Sequence, residues 1–145
     1  MLREIVLDTE TTGLDALRGD RLIELGCVEI VNRIPTGREF HRYLNPERDI
    51  HRDAIAVHGL TLEFLRDKPL FKDVADEFID FIGDAPLVAH NASFDLGFLN
   101  AELERAAGEY AAALAGLEAI GDGLLERLAP HAAWTSSATH AILPL

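Results

Sequence analysis

Several large classes of protein are excluded by what this sequence lacks. It has one cysteine in 145 residues, so no internal disulfide can form. Cys27 lies in the apolar run Leu25-Gly26-Cys27-Val28, where a small buried hydrophobe in a reducing compartment is expected and no redox role is indicated. No apolar stretch reaches the roughly 18 residues of a membrane span, and Met1 leads into Leu2-Arg3-Glu4 rather than a secretory core, so a cytoplasmic protein with no membrane contact is expected. Positive charge is scarce: 13 Lys and Arg stand against 25 Asp and Glu, a net charge of −12. A broad basic surface for nucleic acid or anionic lipid is thereby excluded, and any nucleic-acid contact must be local. With 48% hydrophobic and 26% charged residues, collagen and disordered chains are excluded too, leaving a globular chain of one-domain length.

The residues that are present are unevenly spread. Residues 1–106 hold 9 Ala, 21 acidic and 12 basic residues, whereas residues 107–145 hold 11 Ala, 4 acidic and 1 basic. The expected division is a domain over 1–106 and an Ala-rich helical tail over 107–145, whose run from Tyr110 to Leu128 is interrupted by Gly116, Gly121 and Gly123.

Hydrophobic periodicity supplies the elements. Glu4 to Asp8 is a short strand breaking into Thr9-Glu10-Thr11-Thr12-Gly13, Leu22 to Val31 is a second strand, and Glu39 to Leu44 is a third. Asn32 to Gly37 reads as the turn between the last two, and an antiparallel meander is the simplest joining. Helical turns are expected at Asp53 to Val57 and around Thr61 to Leu65. Phe71, Val74, Phe78 and Ile82 recur at spacings of three and four, the pattern of an amphipathic helix. Pro86 to Ala89 is a buried strand, and Phe94, Phe98, Leu99 and Leu103 form the apolar face of the next helix. The order β-β-β-α-β-α predicts a mixed α/β domain.

Two acidic segments could carry chemistry. Asp8 and Glu10 are two apart at a strand end, so both project from one face, where they either meet water or share a divalent cation. His90-Asn91-Ala92-Ser93-Phe94-Asp95 opens a helix, with Asn91 or Ser93 as the cap and Asp95 either complementing the helix dipole or approaching the strand that carries Asp8. Strand-end and helix-start carboxylates together make a hard-oxygen metal site. His58 before Gly59 reads as a histidine bonded to loop backbone, and Asp53 as a solvated helix cap. For His41, His51, His131 and His140 the sequence suggests no partner.

Val6-Leu7-Asp8-Thr9-Glu10-Thr11-Thr12-Gly13 resembles the first motif of the DnaQ-like 3′-5′ exonucleases, and His90-Asn91-Ala92-Ser93-Phe94-Asp95-Leu96-Gly97-Phe98 resembles the second. Ile23-Glu24-Leu25-Gly26, Val31-Asn32-Arg33, Phe40-His41, Tyr43-Leu44, Val57-His58-Gly59 and Asp67-Lys68-Pro69 extend the likeness over about residues 3–106, toward the proofreading epsilon subunits of bacterial DNA polymerase III. The resemblance implies a ribonuclease H-like mixed sheet flanked by helices, and hydrolysis of the 3′-terminal phosphodiester of DNA with two Mg²⁺ or Mn²⁺ ions. Carried over by position, Asp8, Glu10 and Asp95 would be the catalytic metal ligands. Thr9, Thr11, Gly13, Asp53 and His58 would meet the terminal nucleotide. The implied partners are a DNA 3′ end and the catalytic subunit of a replicative polymerase. Cations at the scissile phosphate would reconcile nucleic-acid binding with the acidic charge.

The third motif of that family, His-x-x-x-x-Asp on a late helix, is not found after residue 106: His131 has Ser136 five positions on, and His140 has Leu145. The spacing at His90 and Asp95 belongs to the second motif. The expectation is that residues from about 107 are a truncated, frame-shifted or diverged substitute, making the C-terminal part of the fold incomplete or atypical. Loss of a general base typically costs about 10²–10⁴-fold in rate. Three readings follow: a proofreading exonuclease, a catalytically impaired member that binds a polymerase or nucleic acid, and an unrelated acidic interaction domain.

Overall fold

The computed structural model describes residues 1–115. Strands β1 (Arg3–Thr11), β2 (Leu22–Val31) and β3 (Ile34–Tyr43) form the antiparallel meander, and the two-residue β4 (Leu87–Val88) joins β1 in parallel, giving the order β3-β2-β1-β4. Helices α1 (Arg52–His58) and α2 (Leu62–Leu65) follow β3, and α3 (Phe71–Ile82) and α4 (Ala92–Ala115) flank β4 in sequence. The mixed α/β expectation holds, as do both short helices.

Alternation along β1 decides which side is core. Ile5, Leu7, Thr9 and Thr11 are buried, while Val6, Asp8 and Glu10 lie on the other face with more exposure. Against the buried face pack Phe71, Val74, Phe78 and Ile82 of α3 and Phe98, Leu99 and Leu103 of α4. The helical spacing therefore names the right core residues; Phe94 is only half-buried at the margin.

Several boundaries differ from the sequence expectation. β1 continues three residues past Asp8, because Asp8, Thr9 and Glu10 pair with Gly26, Leu25 and Glu24 on β2. The β2–β3 turn is only Asn32 and Arg33, both with positive φ (49° and 68°), so Ile34 to Gly37 belong to β3. Left-handed backbone at both positions suits a two-residue hairpin, whose twist matches the strands. Pro35 is admitted there because β3 is the edge strand. Ser93 lies inside α4 rather than capping it, and Asn91 takes the left-handed turn just before it (φ 53°). Asp53 occupies the first turn of α1, exposed, while His51 stands at the cap. Helix α4 crosses residue 107 without a break as far as Ala115. The rest of the expected tail, with His131, His140 and the Trp134 segment, lies outside the described residues.

Candidate active site

The site is built at the carboxyl end of β1. β4 pairs only with Ile5 and Val6, so the far half of β1 has an open edge on that side. The chain leaving β4 turns through His90 and Asn91 and starts α4 alongside that edge, at the carboxyl end of a parallel strand pair. Asp95, in the first turn of α4, is thereby buried against β1, and its Oδ1 accepts a hydrogen bond from Thr9 Oγ1 at 2.5 Å. Thr9 points away from Asp8 and Glu10 along the strand, so Asp95 reaches the pair from behind.

The carboxylates at this strand end influence one another. Burial raises the Glu10 carboxyl above its ordinary range; His58 opposes the rise, and Asp8, Glu24 and Asp95 add to it by repulsion. Asp95 is raised as well, chiefly by burial, against the Thr9 hydrogen bond and with a further push from Asp8. Glu24 is cross-strand from Glu10, and Gly26 is cross-strand from Asp8, so the face beside Asp8 carries no neighbouring side chain on β2. Asp8 is exposed. Among the described residues no three His, Cys, Asp or Glu side chains form a closed cation cage. The chemistry is instead that of two strand acids open to one side, with a third held behind them.

The resemblance-derived binding residues divide into two groups. His58, the last residue of α1, sets its ring against the end of β1: Leu60 N–H donates to Nδ1 at 3.0 Å, which leaves the Nε2 proton to be donated to the Thr11 carbonyl at 3.1 Å. The expected backbone-bonded histidine is what the fold contains. Thr11 Oγ1 donates to the Gly13 carbonyl at 2.6 Å, and Thr11, Thr12 and Gly13 are all buried. Asp53, by contrast, has an exposed side chain.

Sequence reasoning missed Asp20. It is buried, accepts from Thr12 Oγ1 at 2.9 Å and from the Asp15 N–H at 3.1 Å, and lies 3.3 Å from His51 Nε2 and 3.5 Å from Arg48 Nη1. Burial would raise its carboxyl, but these donors outweigh it and hold the group below the usual carboxylate range. A Cβ on Gly13 would fall 2.2 Å from His51 Cδ2 and 2.5 Å from Asp20 Oδ2, so only glycine admits both side chains. The one local signal was the polar Gly19-Asp20-Arg21 before β2, which any turn would share. His51 and His41 do have partners after all, Asp20 and Glu24; His41 Nε2 lies 2.7 Å from Glu24 Oε1.

Comparison with known proteins agrees with this architecture. The DNA polymerase III subunit epsilon of Rickettsia felis is 59% identical over 102 residues, covering 70% of this chain and 44% of that protein. The subunit of the same name from Escherichia coli K12 is 54% identical over 104 residues, covering 69% and 43%. The chain thus spans under half the length of these curated relatives. Among solved structures, Exonuclease X in complex with 5′ overhanging duplex DNA is 33% identical with a TM-score of 0.54, over 68% of this chain and 53% of that one. Escherichia coli Exonuclease I in complex with a dT13 oligonucleotide superimposes with a TM-score of 0.67 at 17% identity, over 74% and 24%, a likeness of fold alone. The architecture is the ribonuclease H-like one. The exonuclease family profile matches residues 5–118, and the chain belongs to that family.

Proposed function

We propose that this chain is the metal-binding and substrate-binding part of a 3′-5′ exonuclease that removes mispaired 3′-terminal nucleotides from DNA during replication. The observation that carries the reading is geometric: Asp8 and Glu10 share one face at the end of β1 and Asp95 is anchored behind them by Thr9, where burial and the neighbouring acids raise the Glu10 and Asp95 carboxyls. Acids left in this state fit a divalent cation, since its charge removes the penalty they impose on one another. Asp8 and Glu10 would be the direct ligands, with Asp95 steadied by Thr9 in support. When bound, Mg²⁺ or Mn²⁺ supplies charge stabilisation for phosphodiester hydrolysis and a water of lowered pKa.

The chain's own residues do the rest. Thr11 and Gly13 offer a rigid backbone turn to the terminal nucleotide, and His58 fixes that turn to α1. Leu14 follows Gly13 and Val57 precedes His58, and both are exposed large apolar side chains (86% and 83%), a surface suited to the face of a base. Asp53, exposed on α1, is available to the sugar or to water. Residues from 107 onward are proposed not to supply the family's His-x-x-x-x-Asp segment, and the polymerase catalytic subunit is proposed as partner. No described helix is long and apolar enough to cross a membrane.

The test is hydrolysis of a 3′-mismatched primer with Mg²⁺ or Mn²⁺, with Asp8→Ala as control. Turnover abolished by that change supports the enzyme. Absence of turnover with retained metal binding through Asp8 and Glu10 supports the alternative, a catalytically impaired member, which the missing His-x-x-x-x-Asp after residue 106 motivates.

A further inference from the structure

We propose that Asp20 is a positioning residue: it locks the Thr12–Gly13 turn to α1, so that His58 and the Thr11 carbonyl stay opposed at the carboxyl end of β1. Helix α1 is fastened to β1 at both ends. At its start, the His51 N–H donates to the Thr12 carbonyl at 2.8 Å; at its last residue, His58 Nε2 meets the Thr11 carbonyl. Asp20 holds both members of the first fastening through side chains, by way of the Thr12 hydroxyl and the His51 ring. The far side of the loop is tied as well, because Thr12 N–H donates to the Arg21 carbonyl at 2.9 Å and Arg21 N–H donates back to Thr12 Oγ1 at 3.0 Å. Thr12 is completely buried, and Gly13 leaves no space between His51 and Asp20 for even a methyl group. One carboxylate therefore sets the distance between two segments far apart in sequence, residues 12–21 and 48–58.

A strand end with no such clamp would let α1 tilt, and the two adjacent backbone acceptors Thr11 O and Thr12 O would move with different helix ends. Because His58 is held as a single tautomer by Leu60 and Thr11, its ring reports that tilt directly. A residue that merely stabilises the fold would leave the tautomer unchanged in every molecule that remains folded.

The test compares the whole chain with Asp20→Ala, Asp20→Asn and His51→Ala, using Glu29→Gln at the opposite end of the sheet as control. Long-range ¹H–¹⁵N spectra of the His58 ring give the tautomer, and titration with thymidine 5′-monophosphate in Mg²⁺ gives the affinity of the site. The nucleotide arm rests on the exonuclease reading; the His58 arm does not. In Asp20→Ala the two ring nitrogens are expected to move toward averaged tautomers and nucleotide affinity to fall about tenfold, as expected for losing hydrogen bonds to a charged group. Asp20→Asn keeps an acceptor for Thr12 but not the charge facing His51 and Arg48, so a fall of about threefold and a smaller ring shift are expected. If Asp20→Ala does not fold, Asp20→Asn and His51→Ala carry the test, both shifting the ring in the same direction. A His58 signature unchanged in folded Asp20 and His51 variants, or shifted equally by Glu29→Gln, overturns the proposal. A ring that shifts in the Asp20 and His51 variants, where the wild-type chain itself binds no nucleotide, supports the clamp and counts against the exonuclease reading.

Discussion

Acidic side chains around this sheet are treated in two opposite ways. Near the amino end of β1, Glu29 is buried but receives Arg3 Nε at 2.7 Å, Arg38 Nη1 at 2.9 Å and Thr36 Oγ1 at 2.8 Å; the Arg3 and Thr36 hydrogen bonds hold its carboxyl below the usual range. Arg3 also donates to the carbonyls of Ile82 and Phe81, so the same cluster closes the end of α3. On α4, Glu102 takes a two-pronged contact from Arg21 at 2.7 and 2.9 Å and fixes the helix to the start of β2. At the carboxyl end of β1, Glu10 and Asp95 are raised instead. Acids matched by arginine assemble the scaffold, and the acids left to repel one another mark the site.

Removing one of the acids at the carboxyl end of β1 has the largest expected effect. Asp8→Ala is expected to lower exonuclease turnover on a mismatched primer by about 10³-fold or more, the scale of a lost metal ligand, with no loss in melting temperature. If turnover survives, Asp8 does not belong to the uncompensated group. The matching experiment on the scaffold is Glu102→Ala, which leaves Arg21 half-buried without its partner; a loss of about 3–5 kcal/mol in urea unfolding is expected. A smaller effect is expected for Gly13→Ala, where the new methyl must displace His51 or Asp20 at a cost of about 1–3 kcal/mol. Its loss should shrink when His51→Ala is made in the same chain, a coupling that a double-mutant cycle would measure.

The finest distinction is in pH dependence, measured without metal. The Glu10 carboxyl holds its proton more tightly folded than unfolded, so native chains bind more protons from 4.5 up to the raised folded value, and stability falls as pH rises through that window. Glu10→Gln should therefore be the more stable protein at pH 7, with its advantage vanishing on acidification and on addition of Mg²⁺. For Glu29 the sign reverses: its contribution is complete above 4.5 and is lost as pH falls through its lowered value. Glu29→Gln should be less stable than wild type at neutral pH and indistinguishable from it in acid. Parallel trends for the two variants would erase the distinction between the matched and the unmatched acids.

Much of this was legible from residues alone. Spacing placed the core face of α3, the limits of β2 and the shared face of Asp8 and Glu10, because helix and strand periods are local properties of the backbone. Asn32 to Gly37 reads as a turn where the structure has only Asn32 and Arg33, since Pro35 and Gly37 look like turn residues and only the exposed edge position of β3 lets them stay in a strand. The sequence places Asp95 near the site, but its bond to Thr9, behind the strand, depends on where β4 ends.

Asp20, Glu29 and Glu102 give the clearest boundary between the two sources of information. The sequence determined the family, through an ordered series of motifs over about residues 3–106, and it determined the amphipathic elements and the pair of acids at a strand end, which are matters of spacing within a dozen residues. Only the tertiary structure decided which carboxylates are matched by arginine and which are not. That depends on partners 26 to 81 positions away for Arg3–Glu29 and Arg21–Glu102, and on the burial that makes those pairings matter.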